Sequence, residues 1–523
     1  MLWFTQTWFR HTVILAFIVA SITIEMCFYR KVFKSTAERD VLEHVHHSGA
    51  GPLQLKGHHI VAGDEGYTSG VYYSDWSPYP PRKHFPHDID LSKVSHVYYA
   101  FFLVDGSTGQ LKSSDEWSDF EMDLYKPLAV KLNELKGDNV DVDVSTGLLP
   151  KGCVGELFYL RHAGILDKNR ARHFKVIMAV GGWSNREEFP KMVRDPRRVD
   201  VFINSCVDTM FKYGFDGIDL DWEFPQNDGF EPQMYLEMAR RLRLRFDQLE
   251  QDIFAAESNH PKFHLSIATP AFRDKMNVLP IREMNRYVDV WNMMTYDYHG
   301  EWSDHTGYHC NLYNGKNGKV NAQYKHSTTS GGNVQGLDAN SAIYDMINLF
   351  GVDSRKISLG MAAYGRGFTH VKTEGNDKSF IGKKFNGVGG ASEGEPGMWL
   401  YNQLPIKGSQ EQYDADYVSA FCFDSKSRTF VGYDNVDSVQ AKADYVKEMQ
   451  LGGGFWWESC GDDHKNPERS LLNAFTGELQ TICKPTGSMY HRPETLRYYL
   501  EKYGIDSYLS PFIGHLLSKN RRR

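Results

Sequence analysis

Eight short β-rich runs recur in order between residues 70 and 459, with helical or loop segments between them. They are GVYYSDW (70–76), VSHVYYAFF (94–102), FKVIMAVGG (174–182), GFDGIDLDWEF (214–224), FHLSIATP (263–270), VDVWNMMTYD (288–297), KISLGMAAYG (356–365) and GGGFWWES (452–459). Most begin apolar and end in polar or aromatic residues. Amphipathic helical stretches intervene at 196–213, 233–249, 340–350 and 438–451. Eight strands alternating with helices predict a parallel barrel whose function lies at the C-terminal strand ends. A doubly wound open sheet is the alternative, but no glycine-rich phosphate loop follows the first run. A barrel also accommodates the 523 residues, which would otherwise suggest several domains, because barrels carry long insertions within one domain.

Two insertions interrupt the cycle. Residues 103–166 contain an acidic stretch (GDNVDVDV), and residues 366–432, between strands seven and eight, read as a small subdomain with its own short strands. The barrel is expected over 67–475, with a mostly polar tail at 476–523. Residues 30–66 are polar and His-rich and read as a linker rather than a metal site. Ahead of them, residues 12–24 (TVILAFIVASITI) are uncharged, preceded by Arg10 and broken by Glu25. This length fits a signal-peptide core and falls short of the ~20 residues that span a bilayer. Continuing to residue 29 would stretch it into an anchor, which the downstream Arg30, Lys31 and Lys34 disfavour for a lumenal barrel. Segment 1–29 is thus expected to lead into the secretory pathway, as a cleaved signal or an anchor, with a secreted or cell-wall destination. A buried helix is the bland alternative.

The chain has 41% hydrophobic and 24% charged residues, ordinary globular values that exclude disorder and a polytopic membrane protein. A net charge of −7 without a basic domain gives nucleic-acid binding no support. Seven cysteines without CxxC spacing argue against a disulfide scaffold and a zinc ribbon, leaving room for one or two isolated bridges.

The chemistry concentrates in the fourth run. Side chains alternate faces along a strand, so Asp219, Asp221 and Glu223 share one face while Ile218, Leu220 and Trp222 share the other. Asp216 opens the motif from the opposite parity. Like charges at ~6–7 Å in a low dielectric resist simultaneous ionisation, so at least one proton is retained near neutral pH. Glu223, nearest the rim, is its natural holder and hence a general acid. An acidic loop or a metal site is the bland reading, but neither requires such strict alternation with Ile, Leu and Trp.

The segment DGIDLDWE (216–223) fills D-x-x-D-x-D-x-E, and the chain here resembles glycoside hydrolase family 18, particularly its secreted and sporulation-type fungal chitinases. The likeness extends over roughly residues 69–475. VYYSDW resembles the family's first strand, AVGGW (179–183) its third-strand motif, MTYD (294–297) its sixth, AYGRGF (363–368) its seventh and GGGFWW (452–457) its eighth. The resemblance implies an α/β fold, a (β/α)8 TIM barrel with a small α+β insertion subdomain at 366–432. It also implies hydrolysis of β-1,4-linked N-acetylglucosamine in chitin or chito-oligosaccharides, with the substrate's acetamide as nucleophile and no cofactor or metal. Glu223 would protonate the glycosidic oxygen, Asp221 would orient the acetamide N–H, and Asp219 would share a proton with Asp221. Tyr296 would donate to the acetamide oxygen, Asp297 would help seat the sugar, and Trp457 would floor the cleft. Trp183, Tyr364 and Arg366 would either line the cleft wall or serve structure alone, and Tyr72 would hydrogen-bond into the aspartate chain.

One position departs from the family. Ala179 stands where Ser is usual, removing a hydroxyl that would support Asp219, a loss on the order of 1–3 kcal/mol if the carboxyl stays unsatisfied. Tyr72 is then the expected remaining donor, and altered pH dependence or a lower rate is expected rather than inactivity. The rivals are a chitin-binding lectin on the same barrel, disfavoured by the intact Glu223, and an endo-hydrolase of N-glycans, disfavoured by the 366–432 insertion. A cell-wall structural protein would need repeats or Ser/Thr-rich tracts that the chain lacks. A monomer is expected, and soluble oligomers or nascent chitin suit it better than crystalline chitin because no separate chitin-binding module is visible.

Overall fold

The computed structural model describes residues 66–125, 128, 148–166, 173–255, 257, 259–315, 337–373, 380–392, 395–484 and 487–520. The N-terminal segment 1–29, the linker up to residue 65 and the acidic stretch at 137–144 lie outside them. Strands β1 (Thr68–Ser74), β2 (His96–Val104), β3 (Lys175–Gly181), β4 (Gly217–Asp221), β5 (His264–Pro270), β6 (Val290–Met294), β7 (Ile357–Ala362) and β8 (Gly453–Trp457) each overlap one of the eight runs, β1 starting two residues early and β2 ending two residues late. Each pairs in parallel with the next, and β8 closes on β1. The expected parallel barrel is therefore closed.

Helices cover its outside: α1 (Gly152–Leu166), α2 (Pro196–Lys212), α3 (Glu231–Phe254), α4 (Val436–Glu448) and α5 (Leu471–Leu479). The start of α2 shows why: Asp195 accepts a hydrogen bond from the Arg197 N–H, and Pro196 needs no helical partner at the first position. Its buried residues Val199, Phe202, Ile203, Cys206, Val207, Met210 and Phe211 recur at helical spacing and form one stripe toward the strands. The alternation is not perfect. From β1 to β2 the chain makes only a short turn at Pro86–Asp88, since Pro78, Pro80, Pro81 and Pro86 deny it a continuous helix.

The insertion after β7 is a five-stranded antiparallel sheet. Its order is Met398–Leu400, Tyr364–Phe368, Thr429–Tyr433, Ser419–Asp424 and Glu411–Asp414. Its first strand begins two residues before the boundary expected from the sequence, so Tyr364 and Arg366 ride on the subdomain directly above the barrel.

Beyond residue 475 the structure differs from the polar tail that the sequence suggested. Residues 493–520 contain helices α6 (Pro493–Tyr503) and α7 (Ser510–Asn520). Leu496 and Tyr499, then Leu509, Phe512, Ile513 and Leu516, are buried at helical spacing. Tyr490 stacks on Phe211 of α2 at 5.7 Å, and Phe512 meets Phe158 of α1 edge-on at 6.1 Å. A mostly polar composition hid a narrow apolar stripe, and that stripe seals the barrel against α1 and α2.

Candidate active site

Along β4 the alternation works as expected. Ile218 and Leu220 enter the layer between barrel and helices, and Trp222 stacks on Phe189 at 5.2 Å. Asp219 and Asp221 are buried, and Glu223 follows beyond the strand end, half-buried. Opposite Asp219 the neighbouring strands carry Ala179 and Ser266, both small, so side chains from further round the barrel reach it. The Asp219 carboxyl accepts from the Tyr72 hydroxyl at 2.6 Å, the Ser266 hydroxyl at 2.6 Å and the Asn292 side-chain amide at 3.2 Å. This corrects the expectation drawn from Ala179: the missing hydroxyl leaves no deficit, because β5 and β6 supply two donors besides Tyr72. Burial raises the Asp219 carboxyl to about 6, and these three donors hold it from going higher.

Above it the carboxyls hold their protons more tightly. Burial, then the charges of Glu223 and Asp219, push Asp221 well above the carboxylate range. Its Oδ1 is buried and meets no hydrogen-bond donor among the described residues. Burial and the charge of Asp297 raise Glu223 to about 8, while the Arg186 charge and the Trp183 backbone N–H favour its ionised form. Asp297 behaves oppositely. Burial alone would raise it, but Arg366 holds it well below the ordinary range. Arg366 Nε and Nη2 donate to its two oxygens at 2.9 and 3.0 Å, and the Tyr364 hydroxyl donates to Oδ1 at 2.7 Å. A third arm of Arg366 reaches Glu395 of the subdomain at 3.0 Å.

Aromatic rings enclose these groups. Trp457 lies 5.4 Å from Tyr72 and 5.7 Å from Phe101, and Tyr296 packs edge-on against Tyr364 and Phe455, at 6.2 Å from each. Burial, followed by Asp221, keeps the Tyr296 hydroxyl protonated far above neutral pH. At the mouth, Trp183 and Trp302 stay 57% and 58% exposed, unusual for rings of this size. The glycines of AVGGW explain how Trp183 gets there. A Cβ on Gly181 would stand 2.1 Å from the Asp221 carbonyl oxygen, and one on Gly182 would stand 2.7 Å from the Phe101 ring. Both have positive φ, so the chain can turn sharply against the acidic strand.

The structure thus gathers Tyr72, Asp219, Asp221, Glu223, Tyr296, Asp297, Tyr364, Arg366 and Trp457 at one end of the barrel, with Trp183 at its mouth. Asp216 is not among them. It lies before β4 at the opposite end, fully buried, paired with Arg161 of α1 and accepting from the Ser488 hydroxyl at 2.6 Å and the Met489 N–H at 3.0 Å. It fastens the C-terminal segment to the barrel. Ser266 and Asn292 were missed by sequence reasoning, although each is a polar residue inside an otherwise apolar strand. Nothing in the sequence signalled Arg186, Trp302 or Glu395.

A parallel barrel with a proton-holding carboxyl at the rim of one strand, above two buried aspartates and among aromatic rings, is the frame of a glycoside hydrolase. Comparison with known sequences narrows this. The profile of glycosyl hydrolases family 18 matches residues 68–462, and the chain belongs to that family. It is 46% identical to sporulation-specific chitinase 2 of Saccharomyces cerevisiae over 98% of this chain and 97% of the relative. It is 33% identical to endochitinase 1 of Metarhizium robertsii over 79% of this chain and 85% of the relative. In fold it is similar to the catalytic domain of the psychrophilic chitinase B from Arthrobacter TAD20, with a TM-score of 0.64 and 23% identity over 80% and 98% of the two chains.

Proposed function

We propose that this protein is a chitinase that cleaves β-1,4 linkages between N-acetylglucosamine units with retention, using the substrate's acetamide as nucleophile. The observation that carries the mechanism is the state of the carboxyls. Asp297 is the one held firmly ionised beside the acid, and Arg366 and Tyr364 occupy its oxygens. A retaining reaction through an enzymic nucleophile needs a free carboxylate ~5–5.5 Å from the acid, and Asp297 is not free. Asp221, by contrast, presents a buried oxygen that lacks a donor, suited to an acetamide N–H.

In the first step the acetamide carbonyl oxygen attacks C1. The bond from C1 to the leaving oxygen breaks, and Glu223 gives that oxygen its proton. Asp221 fixes the acetamide N–H, Asp219 and Asp221 carry the negative charge facing the oxazolinium ion, and the Tyr296 hydroxyl donates to the acetamide oxygen. Water then attacks C1, Glu223 takes its proton, and the acetamide reopens with the β configuration restored. Trp457 supplies the apolar floor. Family membership, together with the 46% identical chitinase over nearly the whole chain, supports chitin as the substrate. We further propose that the protein acts along the secretory route, supported by residues 12–24.

A cyclised thiazoline analogue of N-acetylglucosamine, which mimics the oxazolinium ion, tests the mechanism. Competitive inhibition of chito-oligosaccharide cleavage with Ki well below KM is expected. Cleavage indifferent to the analogue would remove the acetamide from the mechanism.

A further inference from the structure

Arg186 was not singled out by any motif, yet it stands at the point where the exposed mouth of the site meets its acid. The chain leaves β3 through Gly182 and turns at Trp183–Asn185. Asn185 pins this turn to the end of β2, accepting from the Val104 N–H at 2.8 Å and donating to the Val104 carbonyl at 3.1 Å. Arg186 completes it. Its guanidinium carbon lies 4.1 Å from the centre of the Trp183 ring, and its Nη1 donates to the Trp183 carbonyl at 2.7 Å. A guanidinium stacked on an indole holds that ring in one orientation at little entropic cost. The fixed ring is the more exposed of the two partners, so one face of a large apolar surface remains open beside Glu223.

We propose that Arg186 is a positioning and specificity residue of the cleft: it fixes Trp183 as the wall against which the departing sugar lies, and its charge makes that position accept an N-acetylated unit and disfavour a cationic, deacetylated one. This rests on the chitinase reading above. In that reading the acetamide-bearing sugar lies over Asp221, deep in the barrel, so the leaving sugar lies on the outer side of Glu223, toward residues 183–186.

The surroundings determine whether the charge is felt. Glu223 is faced by Asp221 from its own segment, by Tyr296, by Asp297, whose charge Arg366 neutralises, by Tyr235 of α3, by Glu395 of the subdomain and by Arg186. Of the cations, Arg366 spends its donors on Asp297 and Glu395, whereas among the described residues the ion pair of Arg186 is with the exposed Glu187 at 3.5 Å. An ammonium group ~6–8 Å from this guanidinium, at the effective dielectric of a half-open cleft, is disfavoured roughly three- to tenfold. The same charge favours ionised Glu223, so its removal also moves the alkaline limit of activity upward.

The test uses the wild type, Arg186→Gln and Arg186→Lys on fully acetylated chito-oligosaccharides and on a partially deacetylated polymer. The acetyl state of the unit released on the leaving side is read by mass spectrometry, and kcat/KM is followed against pH. Arg186→Gln is expected to cut before a deacetylated unit roughly three to ten times more often than wild type, with its alkaline limb shifted upward. Arg186→Lys keeps the charge but not the planar stack, so it should restore selectivity and limb while KM stays raised. Unchanged selectivity in a folded Arg186→Gln that still cleaves the acetylated oligomers would overturn the proposal and leave the chitinase reading standing. A wild type that cleaves neither substrate would overturn both.

Discussion

Replacing Ser266 by Ala removes one of the three donors on Asp219 without touching the carboxyls themselves. Its hydroxyl lies 2.6 Å from Oδ1, and with it gone only the longer Asn292 bond of 3.2 Å remains on that oxygen. A hydrogen bond to a charged acceptor is worth ~1.5–3 kcal/mol, or ~1–2 pH units. Asp219 would then rise from about 6 to ~7–8. On the proposed mechanism the active form keeps the Glu223 proton while Asp219 and Asp221 share a negative charge, so the wild-type window is expected between about 6 and about 8. Raising the lower limit leaves the upper one in place. The loss in kcat/KM on chito-oligosaccharides is therefore ~5–50-fold at pH 6 but under about twofold at pH 8. Ser266→Thr, which retains the hydroxyl, should restore the profile. A Ser266→Ala enzyme weakened equally at every pH would refute the assignment of the acidic limb to Asp219.

Further outcomes follow from the same geometry. Ala179→Ser, which restores the hydroxyl common in the family, should move the acidic limb by less than ~0.5 unit, because Asp219 already has three donors; a downward move of a full unit would show those donors to be ineffective. Asp216→Asn leaves Arg161 buried without its counter-charge and unfastens residues 488–489, so urea denaturation should show a loss of ~3–5 kcal/mol, with activity in the cold preserved. Arg366→Gln frees Asp297. The depressed Asp297 carboxyl contributes stability that is fully present above its ordinary pKa and is lost progressively as pH falls from there through its depressed folded-state value. The variant should thus be less stable than wild type at neutral pH, with the difference beginning to shrink below about pH 4 and shrinking further toward about pH 2, as read by thermal melts from about pH 7 to about pH 2.

How much of this was legible in the sequence depends on how locally each feature is determined. The parity of Asp219, Asp221 and Glu223 against Ile218, Leu220 and Trp222 is a property of one strand, so the acidic wall could be read directly. The eight runs were equally local, and their order closed the barrel. Ser266 and Asn292 were visible as polar residues in strands, but their common partner depends on register around the closed barrel. Ala179 was judged from its own strand and therefore misjudged. The sequence boundary put Tyr364 in the seventh run and Arg366 at the first position of the insertion, whereas both lie on the first strand of the subdomain sheet and from there clamp Asp297. At the C-terminus, the spacing of Leu509, Phe512, Ile513 and Leu516 was readable in principle but was masked by the polar residues around it. Asp216 belonged to the motif by spacing, and only its partners Arg161 and Ser488 reveal that it holds the fold together rather than the substrate.

On the proposed mechanism, Glu223 protonates a leaving group displaced by the substrate's own acetamide. Proton NMR of chito-oligosaccharide cleavage by residues 60–523, wild type and Glu223→Gln, tests it most directly. Initial release of the β-anomer by wild type is expected, with its loss in the folded variant, which should still bind the oligomers. Initial release of the α-anomer, or undiminished cleavage by Glu223→Gln, would contradict it.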